Sequence, residues 1–305
     1  MVAAVLGVRY DHDSTVIFRL LKLACAAPLL VPLAGCTGNV DAANAPDADA
    51  SELTAAISID TTSYADDVAP SHSTAVARFI RGNFGIDQAT LQMLGASIDL
   101  PPNGSCSGTS SHETTSSGHS VELVDVGAIT LDVAGRSATL APRNVPDMND
   151  LVWGVVYSSR VDGENAPVSG SISLRVAGSK DIGALSIDVA DMSAPTDVVF
   201  DDATFLSGGD LIALHGNSDV RVTWTTSAPS HDVIYFEVAN GTETLVCAYD
   251  DSGSALLPAS MFAAAPDGKG TLAIHRLHRE AVAARGIDNG EARFDFARVY
   301  DFITP

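Results

Sequence analysis

Residues 233–249 read VIYFEVANGTETLVCAY. Val233 to Val238 is a run of β-branched and aromatic residues. Asn240-Gly241 is a strong hairpin-turn signal, and ETLVCAY at 243–249 returns as the partner strand. This hairpin predicts antiparallel β structure, and its neighbours extend the pattern. Val220, Val222 and Trp224 share one strand face, opposite Arg221 and Thr223. Asp250 to Gly253 turns the chain again. PASMFAA at 258–264 reads as a helical turn or two with Pro258 near its start. Asp267-Gly268 leads into a strand over 271–277, and Phe294, Phe296 and Arg298 alternate in the last one.

Earlier segments show the same period. LVWGVVY at 151–157 is a buried-type run, Ile172, Leu174 and Val176 alternate, and Leu185, Ile187 and Val189 repeat the motif. Leu53 to Asp99 reads as mostly β. Ile57 and Ile59 alternate with polar neighbours, and Val76, Arg78 and Ile80 fit a strand. Asp87 to Leu94 within it fits a short helix capped at Asp87, or a strand plus turn. Residues 101–120 (PPNGSCSGTSSHETTSSGHS) form a polar loop. The pattern predicts a mainly β protein of two β-sandwich-like units, 53–195 and 196–305. The boundary is at Pro195, and the second unit is immunoglobulin-like in size and spacing.

The first residues are of another kind. In 18–36, FRLLKLACAAPLLVPLAGC, Arg19 and Lys22 precede a short apolar run from Leu23 to Pro32 and then small residues. This is the layout of a secretory signal over 1–35, with an apolar run too short to span a bilayer. Asp11, His12 and Asp13 in the lead suit a true start near Val16 or Ile17. The ending Leu33-Ala34-Gly35-Cys36 resembles a bacterial lipobox. The resemblance implies cleavage before Cys36 and acylation of its sulfur, and hence a lipid-bilayer partner. Thr37, where an Asp would retain such a protein at the inner membrane, resembles an outer-membrane destination. Residues 36–52, rich in Ala, Asp, Asn and Pro, read as a lipidated flexible tether.

Removing 1–35 takes three basic and two acidic residues, leaving 14 Lys and Arg against 36 Asp and Glu, a net charge of −22. Such a body repels nucleic acid and anionic headgroups. Cys25 leaves with the signal and Cys36 takes lipid. Cys106 and Cys247 remain, and an exported setting lets them pair.

Chemical motifs are sparse. There is no His-Glu-x-x-His, no Gly-x-Ser-x-Gly elbow, no phosphate loop and no dinucleotide fingerprint. His275 and His278 sit three apart in a predicted strand, on opposite faces, which is poor chelation. His112, Glu113 and His119 share the polar loop. Asp250 and Asp251, ahead of Gly253, offer oxygen ligands to calcium, as do Asp66-Asp67 and Asp201-Asp202. No other cofactor is expected. Trp153, Trp224, Tyr235 and Phe236 fall inside apolar strand patterns and read as core. Tyr249, at a strand end, is the candidate for surface binding.

LVWGVVY at 151–157, VRVTW at 220–224, CAYDDSG at 247–253 and LLPASMFAAAP at 256–266 make the body similar to uncharacterised β-rich lipoproteins of environmental bacteria. The resemblance carries no activity with it. The expected function is that of an envelope lipoprotein, a structural or binding module facing an envelope protein or polysaccharide. Two alternatives are a surface or secreted hydrolase acting on a polymer, and a subunit of an envelope assembly. Without lipidation, the protein would be periplasmic or secreted.

Overall fold

A computed structural model describes residues 52–304, apart from 66–69, 83–85, 109–119, 148–150, 202, 207–210, 215–217, 228–230, 241–242 and 264–267. The proposed signal, Cys36 and nearly all of the tether lie outside the described residues.

The chain opens with two long strands, β1 (Glu52–Tyr64) and β2 (His72–Gly82), then a short helix α1 (Gln88–Met93) and the strand β3 (Ser105–Gly108). Six strands follow: β4 (Val121–Leu123), β5 (Ile129–Val133), β6 (Arg136–Val145), β7 (Val152–Asp162), β8 (Ser169–Val176) and β9 (Leu185–Ser193). After Pro195 come β10 (Thr196–Phe200), β11 (Ala203–Leu206), β12 (Leu211–Leu214), β13 (Val220–Thr225), β14 (Val233–Asn240), β15 (Glu243–Asp250) and β16 (Ser254–Leu257). Helix α2 (Ser260–Ala263) and two further long strands, β17 (Lys269–Ala281) and β18 (Asn289–Ile303), complete the fold.

The fold is mainly β and sandwich-like, with no closed barrel among the described residues. One large sheet runs β3-β15-β14-β17-β18-β1-β2-β4-β7-β6-β5-β8-β9, and a three-stranded sheet runs β10-β13-β16. The hairpin of β14 and β15 pairs Val233 with Asp250 and Phe236 with Cys247. The first and last strands lie side by side and parallel, Ile59 opposite Phe294 and Asp60 opposite Asp295.

The period-2 alternation sorts side chains to two faces. On the inner face, Ile57, Ile59, Phe79, Phe294 and Phe296 pack against Leu131, Ile172 and Leu174 of the folded-over strands. Further along that face Ile234, Phe236, Leu272 and Phe302 pack against Val222, Trp224 and Leu257 of the small sheet and Phe262 of α2. Pro195 falls between β9 and β10, yet β18 supplies side chains to both cores.

Arg276 stands where the cores meet. Its guanidinium donates to the carbonyls of Ser193 (3.2 Å) at the end of β9 and Thr225 (2.7 Å) at the end of β13. Its Nε faces Asp251 at 3.3 Å, with both side chains almost wholly buried.

The region 53–99 is mostly β, as read, and of the two readings open for 87–94 the structure takes the capped helix. That stretch is helical because Asp87 accepts from the Thr90 N–H at 2.7 Å and Gly95, at φ 62°, closes the far end. There the N–H groups of Gly95 and Ala96 donate to the carbonyls of Gln92 (2.8 Å) and Leu91 (2.7 Å), the double bond of a glycine helix stop.

Candidate functional site

The outer face of the large sheet is covered by Ile86–Gly104, a strap that leaves β2 and crosses to β15. At one end Leu91, Leu94 and Ala96 pack over Ala56 and Ile80. At the other, Ile98 and Leu100 pack over Tyr235, Val246, Ala248 and Leu277. The Gly104 N–H then donates to the Ala248 carbonyl at 2.7 Å, and β3 pairs with β15. Cys106 and Cys247, directly opposite in that pairing, are bonded at 1.99 Å.

Between the two apolar contacts the strap leaves a cavity of about 210 Å³, lined by Ser58, Asp60, Gly95, Ser97, Ile98, Leu277, Arg293 and Asp295. Strand register builds its floor. Asp60 faces Asp295 on one rung, and Ser58 faces Arg293 on the next along the same two strands. The rungs are about 7 Å apart, because same-face residues lie two strand steps from one another.

Asp295 is held from behind. The Tyr235 hydroxyl donates to it, and His275 Nδ1 lies 3.1 Å from its Oδ1. The two rings stack at 4.1 Å, so the tyrosine reaches over the imidazole to the carboxylate. Burial, and then the Asp295 charge, push the Tyr235 phenol well above its ordinary range, which keeps it a donor. A carboxylate partner places a proton on His275 Nδ1, while the buried Nε2 has no hydrogen-bond partner.

Asp60 is solvent-exposed at the cavity mouth, although protein atoms crowd around it. Burial, and then repulsion from Asp295, push its carboxyl up to about 6, against smaller opposing effects of Ser58, Arg293 and His275. Arg293 has a side chain only 9% exposed, and among the described residues its guanidinium makes one long hydrogen bond to the Gly95 carbonyl (3.5 Å) and an ion pair with Glu291 (3.8 Å). Arg78 reaches the same carbonyl at 3.3 Å; burial, and then Arg293, lower its proton affinity. The Ser97 hydroxyl is buried and without a partner. The cavity therefore offers two carboxylates, a guanidinium and a hydroxyl within one small space.

The residues singled out from sequence lie elsewhere. Asp251 accepts from Trp224 Nε1 (2.6 Å), from the Ser227 N–H (3.0 Å) and from the Ser227 hydroxyl (2.8 Å), besides facing Arg276. Its oxygens serve the core junction. Asp250 accepts from the Asn103 amide. Asp201 faces Arg221 at 3.9 Å; Asp66, Asp67, Asp202, His112, Glu113 and His119 lie outside the described residues. No cluster of three or more metal-ligating side chains occurs among the described residues. Tyr249 packs its ring on Phe236 and donates its hydroxyl to the Leu256 carbonyl at 2.9 Å. Trp224, Tyr235 and Phe236 are buried, as their strand patterns predict, while Trp153 is half-buried. His275 and His278 point to opposite faces: His278 Nδ1 meets Asp232 at 2.7 Å on the inner side.

No known family pattern and no curated sequence matches the chain. No family is shown. Among solved structures, one bacterial ice-binding adhesin aligns over 83% of this chain and 66% of its own, a little under two thirds, at 14% identity and a TM-score of 0.18. A zebrafish (Danio rerio) Fcho1 Mu homology domain with a bound Eps15 peptide aligns over 83% and 97% of the two chains, at 11% identity and a TM-score of 0.24. At those scores the likeness says nothing about what this chain binds.

The strap site was hidden in the sequence by strand alternation. Ser58, Asp60, Arg293 and Asp295 read as the solvent side of amphipathic strands. The available signal was the segment 86–100, whose Ile86, Leu91, Leu94, Ile98 and Leu100 need an apolar surface to cover.

Proposed function

We propose that the protein is a lipid-anchored module of the bacterial envelope whose body binds a small polar ligand beneath the strap. The observation that carries this reading is Arg293, a largely buried guanidinium lining the cavity beside Asp60 and Asp295, whose direct contacts among the described residues are one long hydrogen bond and one ion pair. Burying a charge is costly unless partners satisfy it. A cavity lined by such charges is suited to a polar guest. The LAGC sequence at 33–36 supports the anchor, and its Thr37 supports the outer membrane as destination. No resident cofactor belongs to this reading. A calcium ion at Asp250 and Asp251 would have to displace Arg276 and Trp224 from Asp251.

Mass spectrometry of protein extracted from host membranes tests both parts. The expected denatured mass is that of a chain starting at Cys36 plus diacylglyceryl and acyl groups. The expected native spectrum carries a small molecule that is lost in Arg293→Gln. An unmodified mass starting elsewhere overturns the anchor and leaves a periplasmic or secreted protein. A native spectrum without any bound molecule overturns the binding role.

One observation favours a second reading as a hydrolase. Asp60 and Asp295 are adjacent carboxylates, and the first is tuned up to about 6, the separation of roles that acid–base catalysis needs. A hydrolase would show a rate that falls when Asp60 deprotonates and that disappears in Asp60→Asn. Ligand returned unchanged after prolonged incubation would dismiss it.

A further inference from the structure

We infer that the strap cavity is a receptor site for a short aliphatic zwitterion, a molecule carrying a protonated amine and a carboxylate on neighbouring carbons. This deepens, and rests on, the reading of the body as a binding module.

The inference comes from the order of charges along the cavity floor. Asp60 and Asp295 share a rung on β1 and β18, and His275 meets Asp295 from the far side at 3.1 Å. Two carboxylates side by side repel, and an ammonium placed against both relieves the repulsion with charge-assisted hydrogen bonds. One rung along, Arg293 presents the planar donor fork that suits a carboxylate. Ser97, from the strap above, brings a buried hydroxyl with no protein partner. A separation of about 7 Å between rungs leaves room for one hydrogen bond at each end of a ligand whose own charges are two or three bonds apart.

The walls set the rest of the ligand. Ile98 and Leu277 are the apolar residues lining the cavity and face a short hydrocarbon side chain. The volume, about 210 Å³, lies below the roughly 300–1,000 Å³ of pockets for drug-sized molecules. Peptides and sugar chains are too large to enter whole. Tyr235 and His275 act as positioning residues: they hold the Asp295 carboxylate toward the cavity without lining it.

Calorimetric titration of the purified full chain tests the inference with three probes of one shape. L-valine carries both charges, isovalerate lacks the amine and isobutylamine lacks the carboxylate. Valine is expected to bind, and each single-charge analogue to bind about tenfold more weakly or worse. Asp60→Asn should erase the preference for valine over isovalerate. Arg293→Gln should erase its preference over isobutylamine. Ser97→Ala, which leaves the sheet untouched, should weaken valine while the melting temperature stays put, separating a binding loss from a folding loss. Isobutylamine binding as tightly as valine would overturn the zwitterion while the binding module stands. So would a co-purified molecule without an amine. No heat with any probe, together with an empty native spectrum, would remove both.

Discussion

Asp60 and Asp295 stand opposite each other on parallel strands, and Asp60 bears most of the cost. Its carboxyl is raised from 3.8 to about 6, so the folded state holds a proton that the unfolded chain releases between these values. Stability therefore falls as pH rises through that window and stays lower above it. Asp60→Asn should raise stability near neutral pH by about 1 kcal/mol, after allowance for screening at the cavity mouth, and change little near pH 4. Paired thermal melts at the two pH values check this. A variant less stable than the parent at neutral pH would mean that the carboxylate is held by stronger partners than those described. Arg276 is the opposite case, a buried charge set between two carbonyls and the Asp251 carboxylate. Arg276→Met leaves Asp251 buried without its cation and should cost about 3–5 kcal/mol in urea unfolding. A loss under about 1 kcal/mol would show that Trp224 and Ser227 suffice to hold that carboxylate. Of these residues the sequence marked Asp251, as a ligand, and placed Tyr235 in the core. A count of polar side chains cannot tell which are turned inward at a junction and which face solvent.

Among the elements, the strap is the least legible and the most consequential. Strands 151–157, 172–176, 220–224 and 233–249 could be read directly, because alternation and turn residues are local signals. The strap has no regular period along most of its length, and its apolar residues are spaced to meet two separate patches of a sheet assembled from distant segments. Its short helix was legible through Asp87. The bond between Cys106 and Cys247 pins its far end and spans a sequence separation of 141. A loop of that length constrains the unfolded chain by about 5 kcal/mol in the chain-entropy account. Replacing both cysteines with serine should lower stability by several kcal/mol. It should also speed amide exchange over 96–108 ahead of the central strands, as hydrogen exchange with mass readout would show. Uniform acceleration across the sheet would mean that the strap and the sheet open together.

For the whole molecule, composition was a sound guide to class and charge, and a poor guide to how the two halves join. Both cores are built on one sheet, because β18 continues from one to the other. A sequence break at Pro195 is visible as a turn, whereas the pairing of β1 with β18 leaves no local trace. The net charge of −21 adds self-repulsion to this compact body. Raising salt from about 0.01 to about 0.15 M should therefore raise the melting temperature by a few degrees. An unchanged or lower value would mean that the ion pairs described, which salt weakens, outweigh the general repulsion.

The parallel pairing of β1 with β18 also has a meaning in time. Leu53 donates its N–H to the Asp288 side chain across 235 residues of chain, and β1 runs alongside β18 from Thr54 with Asn289 to Tyr64 with Val299. The centre of the sheet cannot close until β18, which follows β1 by some 235 residues, has left the ribosome. Strands so far apart in sequence pair slowly, and the sheet stays open while the chain between them is being made. Under the export proposed above, in which the chain is threaded through a membrane as an extended strand, that delay would keep it unfolded until the far side is reached.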